Sequence, residues 1–457
     1  MVKKVIVIPE DSPYVKVSKE HARHKFIAQG AVSEASTSLS GSFIVAFAKD
    51  IGSNALHIGF LSAFSGILSP FGNLWGSKLM EKNSRRYIHY KFTILLALTW
   101  LPILALIFFF WKGIGLNYLP HALIVFYCLY AFLSSVKDPP TFSWLGDLVP
   151  AEIRGKYFAQ RSRFIGFVGL ALFLVAGFVL DFFETKGLIL IGYGILFTIS
   201  IILRLYSARQ VNHIFSPRFV LHKGYYFSFL SFIKRYDNFG KFAMFYAVFN
   251  FSLMVASPFF GYYMLNDLGF GKVTFTIVSL SSTAFSLLFM PLAGKFSDKY
   301  GNLKLMYIGC AMFSINPVIW IFFKSPVVLS ILPGFVAGVA NAAIGIAVTN
   351  YTYDSTSEQK RALCVSYFGL LTGVGVFLGS LLGGFMIENL SISFMNTTLF
   401  VFAIAAVLRA GTSLYFLPQL EEVRHVKRIH GLSLNVLHPF RAVHSDITWF
   451  KRFYRER

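Results

Sequence analysis

The amino-acid sequence predicts an all-α membrane protein, in which twelve transmembrane helices form two pseudo-symmetric six-helix bundles. Three observations support this fold: the apolar content, the spacing of the apolar segments and an internal repeat. Hydrophobic residues make up 55% of the 457 residues and charged residues only 14%, whereas soluble domains carry about 25% charged residues. At about 20 residues per membrane-spanning helix, the hydrophobic residues would fill on the order of twelve helices.

Six apolar segments precede a polar, basic linker and six follow it. Because hydrocarbon offers no water to backbone groups, uniformly apolar segments of this length are predicted to be helices and not barrel strands. The predicted spans are 26–48, 56–80, 92–111, 120–149, 164–183, 188–206, 239–265, 273–297, 303–323, 327–353, 365–387 and 392–417. The predicted domains are an N-terminal tail (1–25), a first bundle (26–206), a linker (207–238), a second bundle (239–417) and a basic C-terminal tail (418–457).

The charge distribution predicts the orientation in the membrane. The formal net charge of +21 would point to nucleic acid in a soluble protein. When the loops alternate between the two sides, 36 of the 42 Lys and Arg fall on the side of the N-terminal tail. The other side holds Lys49, Lys112, Lys186, Lys272 and Lys324. Since positive loops stay inside, we expect a multi-pass protein of the cytoplasmic membrane with both termini cytoplasmic, and no nucleic-acid partner.

The two ends of the chain are polar. The first 25 residues hold one short apolar run, too brief for the core of a signal peptide, and predict a cytoplasmic tail. Residues 449–455 are basic and aromatic. They would suit the surface of an anionic leaflet, and a solvated tail is the alternative.

No pattern in the sequence indicates an enzyme. The cysteines Cys128, Cys310 and Cys364 lie in or beside apolar runs and form neither a disulfide framework nor a metal-ligand spacing. A phosphate-binding glycine loop, a histidine metal set and a nucleophile elbow are absent from the sequence. We therefore expect no catalytic residues, no cofactor, no metal site and no ATP-driven pump.

An internal repeat relates the two halves. Residues 148–181 align with residues 355–388 at a constant offset of 207 without a gap. The aligned pairs include Arg154 with Arg361 and, just upstream, Asp147 with Asp354. A repeat spaced by six spans keeps the same membrane orientation, which places a substrate site between the halves. At an offset of 205, Arg204 meets Arg409, and we interpret Arg409 as an anchor at the cytoplasmic end of its span.

The loop from Gly294 to Lys304 reads Gly-Lys-Phe-Ser-Asp-Lys-Tyr-Gly-Asn-Leu-Lys. It resembles the signature between the second and third helices of each half in the major facilitator superfamily. The first-half counterpart, from Gly76 to Arg86, is altered by a Glu for Asp, a Ser for Gly and one inserted residue. Residues 137–161 also resemble the region between the fourth and fifth helices of many bacterial and archaeal members. The resemblance covers residues 26–417 and implies the major facilitator fold.

The resemblance implies a gate on the cytoplasmic side. An acid in the loop caps a facing helix, the bases pair with acids across the domain boundary, and the glycine permits the tight turn. An alternative is that the basic residues serve topology alone. The residues implied are the loop residues Glu81, Arg85, Asp298, Lys299 and Asn302, and the network partners Asp147, Arg154, Asp354 and Arg361.

Ionisable residues inside spans are costly and mark functional candidates. Glu34 lies eight residues into the first span, and Thr37, Ser38 and Gly41 follow at helical spacing. This polar stripe would suit an aqueous cavity, and the resemblance implies the same, because the first helix of each three-helix unit lines the cavity. Glu34 is a candidate for carrying a proton or binding a cationic group. The alternatives are a fixed ion pair with Lys137 or a misplaced span boundary.

Lys137 and Asp138 precede two prolines in the fourth span. Asp138 is predicted to be the N-cap of a restarted helix with Pro139 at its first position, so it has a structural explanation. Lys137 has none, and it would suit an anionic substrate or neutralise Glu34. The cavity helices of the second half offer only amides in mid-span, which bind substrates or join helices. These amides are Asn250, Asn341 and Asn350.

These features predict a secondary transporter that moves a small organic solute by alternating access, as a monomer among membrane lipids and with the proton as coupling ion. Symport and antiport both stay open. The fifth span lacks the Gly-Pro pair of the antiporter signature, and the stretch from Gly166 to Gly169 is its nearest match. Drug or metabolite efflux, a lipid flippase and a non-transporting membrane sensor are the alternatives.

Overall fold

The computed structural model describes residues 13–150, 154–217, 237–356 and 358–423, without the side chains of residues 13–16, 154–156, 159 and 358–363. Within these ranges the chain is helical, with turns and no strand. The helices are α1 (Pro13–Leu39), α2 (Ile44–Asp50), α3 (Ala55–Leu79), α4 (Arg85–Leu98), α5 (Trp100–Trp111), α6 (Leu119–Val136), α7 (Asp138–Leu148), α8 (Arg154–Thr185), α9 (Ile189–Asn212), α10 (Asn238–Met254), α11 (Phe259–Tyr262), α12 (Lys272–Tyr300), α13 (Asn302–Phe322), α14 (Pro326–Asp354), α15 (Glu358–Asn389) and α16 (Thr397–Phe416).

Eleven helical stretches in the described ranges are long and apolar enough to cross a membrane, which confirms the all-α membrane fold. The predicted first span is covered instead by an interrupted helix. It begins at Pro13, well before residue 26, and α1 and α2 are separated by Ser40 and a single 3₁₀ turn, Gly41–Phe43. Ser40 leaves the helical region at φ −126° and ψ −71°, which breaks the helix. The predicted limits of the tails and the linker remain predictions.

The fourth predicted span is kinked between α6 and α7. Prolines 139 and 140 have no N–H to donate to the preceding turn, which bends the helix there. Lys137 takes the N-cap position of α7 with helical φ −80° and ψ −14°, and Asp138 is the first helical residue. An N-cap residue needs an extended backbone for its side chain to reach the first N–H groups. The N-cap role predicted for Asp138 is therefore wrong.

The internal repeat is present in the contacts as well as in the sequence. In the first half, the Trp144 ring Nε1 of α7 donates a hydrogen bond to the Phe215 carbonyl after α9, at 3.0 Å. In the second half, Tyr351 of α14 donates its hydroxyl to the Glu421 carbonyl after α16, at 2.8 Å. Trp144 and Tyr351 are separated by the same 207 residues as the aligned segments. Each half therefore ties its fourth span to the end of its sixth in the same way.

Among the residues that the structure describes, the two halves share an apolar core at one side of the membrane and not at the other. We call the side at which α1 begins and α16 ends the basic side, and the other the opposite side. One apolar cluster at the opposite side contains residues of both halves, among them Phe43, Phe259 and Phe275. The ring centroids of Phe43 and Phe275 lie 6.2 Å apart. At the basic side the first half has its own core around Trp144, and the second half has another around Phe242. The halves are therefore packed together at the opposite side.

Within the second half, α15 packs directly on the backbone of α10. Gly375, Gly379 and Gly383 line one face of α15, and a Cβ at any of them would overlap a carbonyl oxygen of α10 or its C-cap residue. Small residues let membrane helices approach to backbone contact, where dispersion forces are strongest. The close contact between these two helices therefore requires glycine at each position.

We predict that Gly379→Ala destabilises the second half, because its Cβ would meet the Phe251 carbonyl oxygen. Overpacking of this kind costs about 1–3 kcal/mol, so the melting temperature of the purified protein should fall by several degrees. Gly369→Ala on the same helix is the control, since a Cβ there meets no atom within 4 Å. Equal melting temperatures for the two variants would contradict the prediction.

Candidate functional site

Glu34 lies on α1 inside the first half and faces α8. Its side chain is half-buried, and the glycine at Gly169 makes room for it, since a Cβ there would lie 3.0 Å from the Glu34 Cγ. Arg204 of α9 and Lys137 at the α6–α7 junction are the two cations whose charges act on the carboxylate. No Lys or Arg nitrogen in the described part of the chain lies within 4.0 Å of its oxygens. Glu34 therefore stands in the field of two cations without a direct ion pair.

Arg204 is a functional candidate that the sequence analysis missed. It lies eight positions before the end of α9 and is only 2% exposed. Its Nη1 donates to the Ser33 hydroxyl at 3.2 Å, and its Nη2 donates to the hydroxyls of Thr37 at 3.0 Å and Tyr130 at 3.1 Å. These partners are neutral, so they take up three of its N–H donors without cancelling its charge, and its buried Nε has no partner among the described residues. The signal that could have revealed it is the single Arg within an otherwise apolar stretch of the sixth span.

Arg409 is buried in the corresponding helix of the second half, at 1% exposure. Its guanidinium donates to three backbone carbonyl oxygens, those of Phe313 at 2.9 Å, Leu253 at 2.8 Å and Ser252 at 3.4 Å. These contacts join α16 to α10 and α13. The interpretation of Arg409 as an anchor at the cytoplasmic end of its span is therefore wrong, because the side chain lies within the packed helices and not in the interface.

Lys137 lies at the kink between α6 and α7 and is partly exposed. Its Nζ lies 3.3 Å from Asp138 Oδ1, and the side chains are 17% and 60% exposed. The fixed ion pair between Lys137 and Glu34 that the sequence left open is not formed. The two predicted residues Glu34 and Lys137 are nevertheless brought into the same electrostatic environment.

A group of hydrogen-bonded polar side chains lies between Glu34 and the basic side. The buried His89 ring of α4 bonds Thr141 of α7 through Nδ1 at 2.6 Å, and Gln29 of α1 through Nε2 at 3.3 Å. Thr141 donates its own hydroxyl to the Lys137 carbonyl at 2.6 Å, so it accepts from a protonated Nδ1. The Gln29 amide nitrogen also donates to Ser207 of α9 at 2.9 Å. The pattern assigns a neutral His89 that links four helices.

The three predicted amides of the second half lie in different surroundings. Asn341 is exposed on the face of α14 that also carries Gly345 and Thr349. An amide facing lipid would lack hydrogen-bond partners, so we assign this face to the space between the halves. Asn250 is buried and donates to a carbonyl of its own helix. Asn350 lies away from the other two and donates to the Ser297 hydroxyl at 3.2 Å.

The first-half loop is held by a buried arginine. Arg85 opens α4, and its Nη1 donates to Asp147 Oδ2 at 2.6 Å and to the Ser143 hydroxyl at 3.0 Å, both on α7. Its Nη2 donates to the Pro217 carbonyl after α9 at 3.2 Å. Two of the predicted gate residues, Arg85 and Asp147, thus meet. Glu81 is exposed and forms no ion pair with another described residue.

The second-half loop forms an equivalent network of neutral and acidic groups. Asn302 opens α13 and donates to Asp354 Oδ2 at 3.0 Å, as Arg85 does to Asp147. The Asn302 amide oxygen accepts from the Ser297 hydroxyl at 2.5 Å, and Asn350 donates to that same hydroxyl. Glu422, which the sequence analysis did not single out, accepts from the Leu303 N–H at 2.8 Å and caps α13. Asn350 therefore belongs to this network in the structure.

Four gate candidates remain to be located: Asp298, Lys299, Arg154 and Arg361. Asp298 and Lys299 are exposed at the basic end of α12. The side chains of Arg154 and Arg361 lie outside the described residues.

The halves are joined by ion pairs at the opposite side. Lys272 begins α12 of the second half and is 1% exposed. Its Nζ lies 2.7 Å from Asp50 Oδ2 and 3.6 Å from Glu184 Oε1, both in the first half. Tyr193 donates its hydroxyl to the same Asp50 oxygen at 2.7 Å. The sequence analysis counted Lys272 as an ordinary loop lysine, because composition does not show which loop charges meet.

A second polar contact between the halves lies on the same side. Asn54 is the N-cap of α3, where its side chain accepts from the His57 N–H at 3.0 Å. Its amide nitrogen donates across to Glu388 Oε1 of α15 at 2.8 Å. Together with the shared core, these contacts close the opposite side of the molecule.

Sequence comparison relates the second half to a known family. The model described as Major Facilitator Superfamily matches residues 242–450. Multidrug resistance protein 2 of Bacillus subtilis (strain 168) is 29% identical over 147 residues, which cover 32% of this chain and 35% of that protein. The match thus spans about a third of the length of this relative.

Structure comparison relates the whole fold to solved transporters. The crystal structure of a D-xylose-proton symporter superposes with a TM-score of 0.68 at 15% identity, over 90% of this chain and 99% of that one. The inward-facing state of a bacterial homologue of the iron transporter ferroportin gives a TM-score of 0.63 at 14% identity, over 87% and 98% of the chains. The outward-facing state with soaked iron gives 0.53 at 13% identity over the same shares. These likenesses show the fold.

We predict that Lys272→Met opens the opposite side more often, because it removes the cation that holds two acids of the other half. A cysteine at Val45, which packs toward Gly261 across the halves, reports the opening through its labelling by a membrane-impermeant maleimide. If the Lys272 ion pairs stabilise the closed opposite side by about 1.4 kcal/mol, their loss raises the labelling rate about tenfold. Lys49→Met is the control, and equal rates in the two variants would refute the assignment.

Proposed function

We propose that this chain is a secondary active transporter of the major facilitator superfamily, whose model matches residues 242–450. It moves a small organic solute across the cytoplasmic membrane by alternating access, with the proton as coupling ion. The observation that carries this proposal is the half-buried Glu34 inside the first half, next to the cations Arg204 and Lys137. The proposed domains are those of the sequence analysis, two bundles over residues 26–206 and 239–417 joined by a linker.

Alternating access is supported by the uneven contact between the halves. The opposite side has a shared core and the Lys272 ion pairs, whereas the basic side has a separate core in each half. Following the positive-inside rule, we assign the basic side and both termini to the cytoplasm. The chain is then in an inward-facing state. Transport requires a second state in which the Lys272 contacts break and the basic side closes.

The cytoplasmic loops are the proposed gate of that second state. Arg85 with Asp147 and Asn302 with Asp354 already fix each loop to the fourth span of its own half. Asp298, Lys299 and Glu81 are exposed on these loops. We assign to them the contacts that form between halves when this side closes. Arg154 and Arg361, which the resemblance implies, complete the proposed network.

Glu34 is the proposed proton carrier. A carboxylate that is half-buried and not paired can exchange a proton with a cavity at modest cost, whereas a fixed ion pair would resist protonation. Protonation shifts the balance between the inward and outward states only if proton affinity differs between them. Lys137 and Asp138 at the kink and Asn341 of the second half are the proposed solute contacts, with Asn250 as a buried amide behind them.

Drug efflux is the second candidate function. It is favoured by the printed name of the relative, Multidrug resistance protein 2. Reconstitution into proteoliposomes of defined lipids separates the candidates. Uptake of a labelled polar solute driven by a pH gradient supports the first function, and expulsion of a hydrophobic dye supports the second. Movement of a labelled lipid between leaflets would indicate a flippase, and no movement of any of the three would indicate a sensor.

We predict that Glu34→Gln abolishes proton-driven accumulation and leaves counterflow exchange of the solute intact. The amide keeps the shape of the side chain but cannot carry a proton, so uptake loses its link to the pH gradient and retains the conformational cycle. Accumulation and counterflow are measured in the same proteoliposomes.

Glu20→Gln, an exposed position on the same helix, is the matched control and should accumulate solute like the unaltered chain. Unchanged accumulation by Glu34→Gln would remove Glu34 from the coupling mechanism. Loss of both accumulation and counterflow would assign Glu34 to solute binding or folding instead.

A further inference from the structure

The charges around Glu34 also bear on which solute the site accepts. We propose that the transported solute is a small organic monoanion, such as a monocarboxylate, whose negative charge binds at Lys137. This inference rests on the proposed transport function and names its substrate class. It is carried by the placement of three residues: Arg204 donates to Ser33 and Thr37, which flank Glu34 on α1, and to Tyr130, which lies two helical turns before Lys137. No ion pair forms among Lys137, Arg204 and Glu34, and both cations act on the Glu34 carboxylate.

Lys137 is the cation that a solute can reach. Its side chain is 17% exposed at the kink, whereas Arg204 is only 2% exposed behind hydroxyl groups. Its described ion-pair partner is the adjacent Asp138 at 3.3 Å, whose side chain is 60% exposed and solvated. Such exposed pairs contribute little to stability. The Lys137 ammonium is therefore held weakly enough to leave Asp138 and pair with the carboxylate of an incoming solute.

Arg204 supplies a fixed positive background. Three of its four terminal N–H groups donate to the hydroxyls of Ser33, Thr37 and Tyr130, and its 2% exposure keeps the guanidinium out of reach of a solute. Because hydroxyls carry no net charge, the potential of the guanidinium extends to Glu34 and to the space beside it. The space beside Glu34 thus favours negative charge even when Glu34 is neutral.

The charged and titratable neighbours of Glu34 limit the charge of the solute that can bind beside it. From α9 it faces Arg204 and from the α6–α7 junction Lys137. From α8 it faces Gly169, while Arg161 on that helix lies beside Gly30, one turn nearer the basic side. His89 on α4, toward the basic side from Glu34, is neutral by its hydrogen bonds and adds no charge near Glu34.

One proton and one monoanion therefore bind together beside Glu34. With Glu34 ionised, the two carboxylates Glu34 and Asp138 balance the two cations Arg204 and Lys137. When Glu34 is protonated, one positive charge is left in excess. A single negative charge at Lys137 restores the balance, whereas a neutral solute leaves the excess and a cationic solute increases it. Because a buried uncompensated charge is expensive, a monoanion binds best together with a proton on Glu34.

The second half contributes neutral contacts. Between Asn341 and Thr349 the exposed face of α14 carries an amide, a glycine and a hydroxyl, with no ionisable residue in this described stretch. An amide and a hydroxyl recognise hydroxyl or carbonyl groups. The charged end of the solute is therefore assigned to the first half and its polar, uncharged end to the second.

The test is a thermal-stability screen on the purified full chain in detergent at pH 5.5 and pH 7.5. The probes are lactate and gluconate as monoanions, xylose and uridine as neutral solutes, and ethidium as a cation. We expect stabilisation by a monoanion only, stronger at pH 5.5. Stabilisation by a neutral or cationic probe alone, or by none of the monoanions, overturns the proposal.

Variants identify the residue that binds the charge. Lys137→Gln should weaken monoanion binding at least about tenfold, while Lys137→Arg should stay within a few-fold of the unaltered chain. Glu34→Gln should retain binding and lose its dependence on pH. Lys112→Gln, an exposed lysine on the opposite side, is the control. Monoanion binding that survives Lys137→Gln overturns the assignment.

Transport of the stabilising probe in proteoliposomes separates this inference from the proposed function. A monoanion that binds through Lys137 but is not transported refutes transport and leaves the binding site standing. Proton-driven uptake of xylose, uridine or ethidium that does not require Lys137 supports transport and refutes the monoanion.

Discussion

The hydrocarbon of a bilayer gives no water to a buried polar group, and this constraint decides how each charge in the chain is used. A charged side chain at the centre of a span costs about 2.5–3.5 kcal/mol on insertion scales, so it persists where the fold supplies partners. Arg409 is satisfied by backbone carbonyl oxygens and joins three helices of the second half. Arg204, at the corresponding place, donates to hydroxyls through its terminal nitrogens, and its charge acts on Glu34.

We place the proposed function where the two halves of the chain differ. The spacing of 207 residues that matches Trp144 with Tyr351 places Ile344 at the position of Lys137. Ile344 is 5% exposed within an apolar core. The first half has therefore kept an ionisable residue where the second half has an aliphatic one. The shared contacts maintain two similar rigid bundles, and this divergence gives the first bundle the charge chemistry.

The sequence was sufficient for the helices and for pairs that the repeat duplicates, such as Asp147 and Asp354. Apolar length determines a span, and the repeat fixes which positions are equivalent. The depth of a charge was harder to predict: Arg204 was counted only by its side of the membrane and Lys272 as a loop charge, yet Arg204 is buried in the first half and Lys272 between the halves. Counting charges by side of the membrane gives orientation, but three-dimensional packing alone shows which of them meet an acid.

The two sides of the molecule use polar contacts differently, and this difference assigns their roles. At the basic side, Arg85 bonds Asp147 and Asn302 bonds Asp354, each within one half. These contacts are compatible with any arrangement of the halves and need not break when the halves move. At the opposite side, Lys272 bridges to acids of the other half. In the proposed alternating-access cycle its contacts must break for that side to open, so the free-energy difference between the two proposed states depends largely on them.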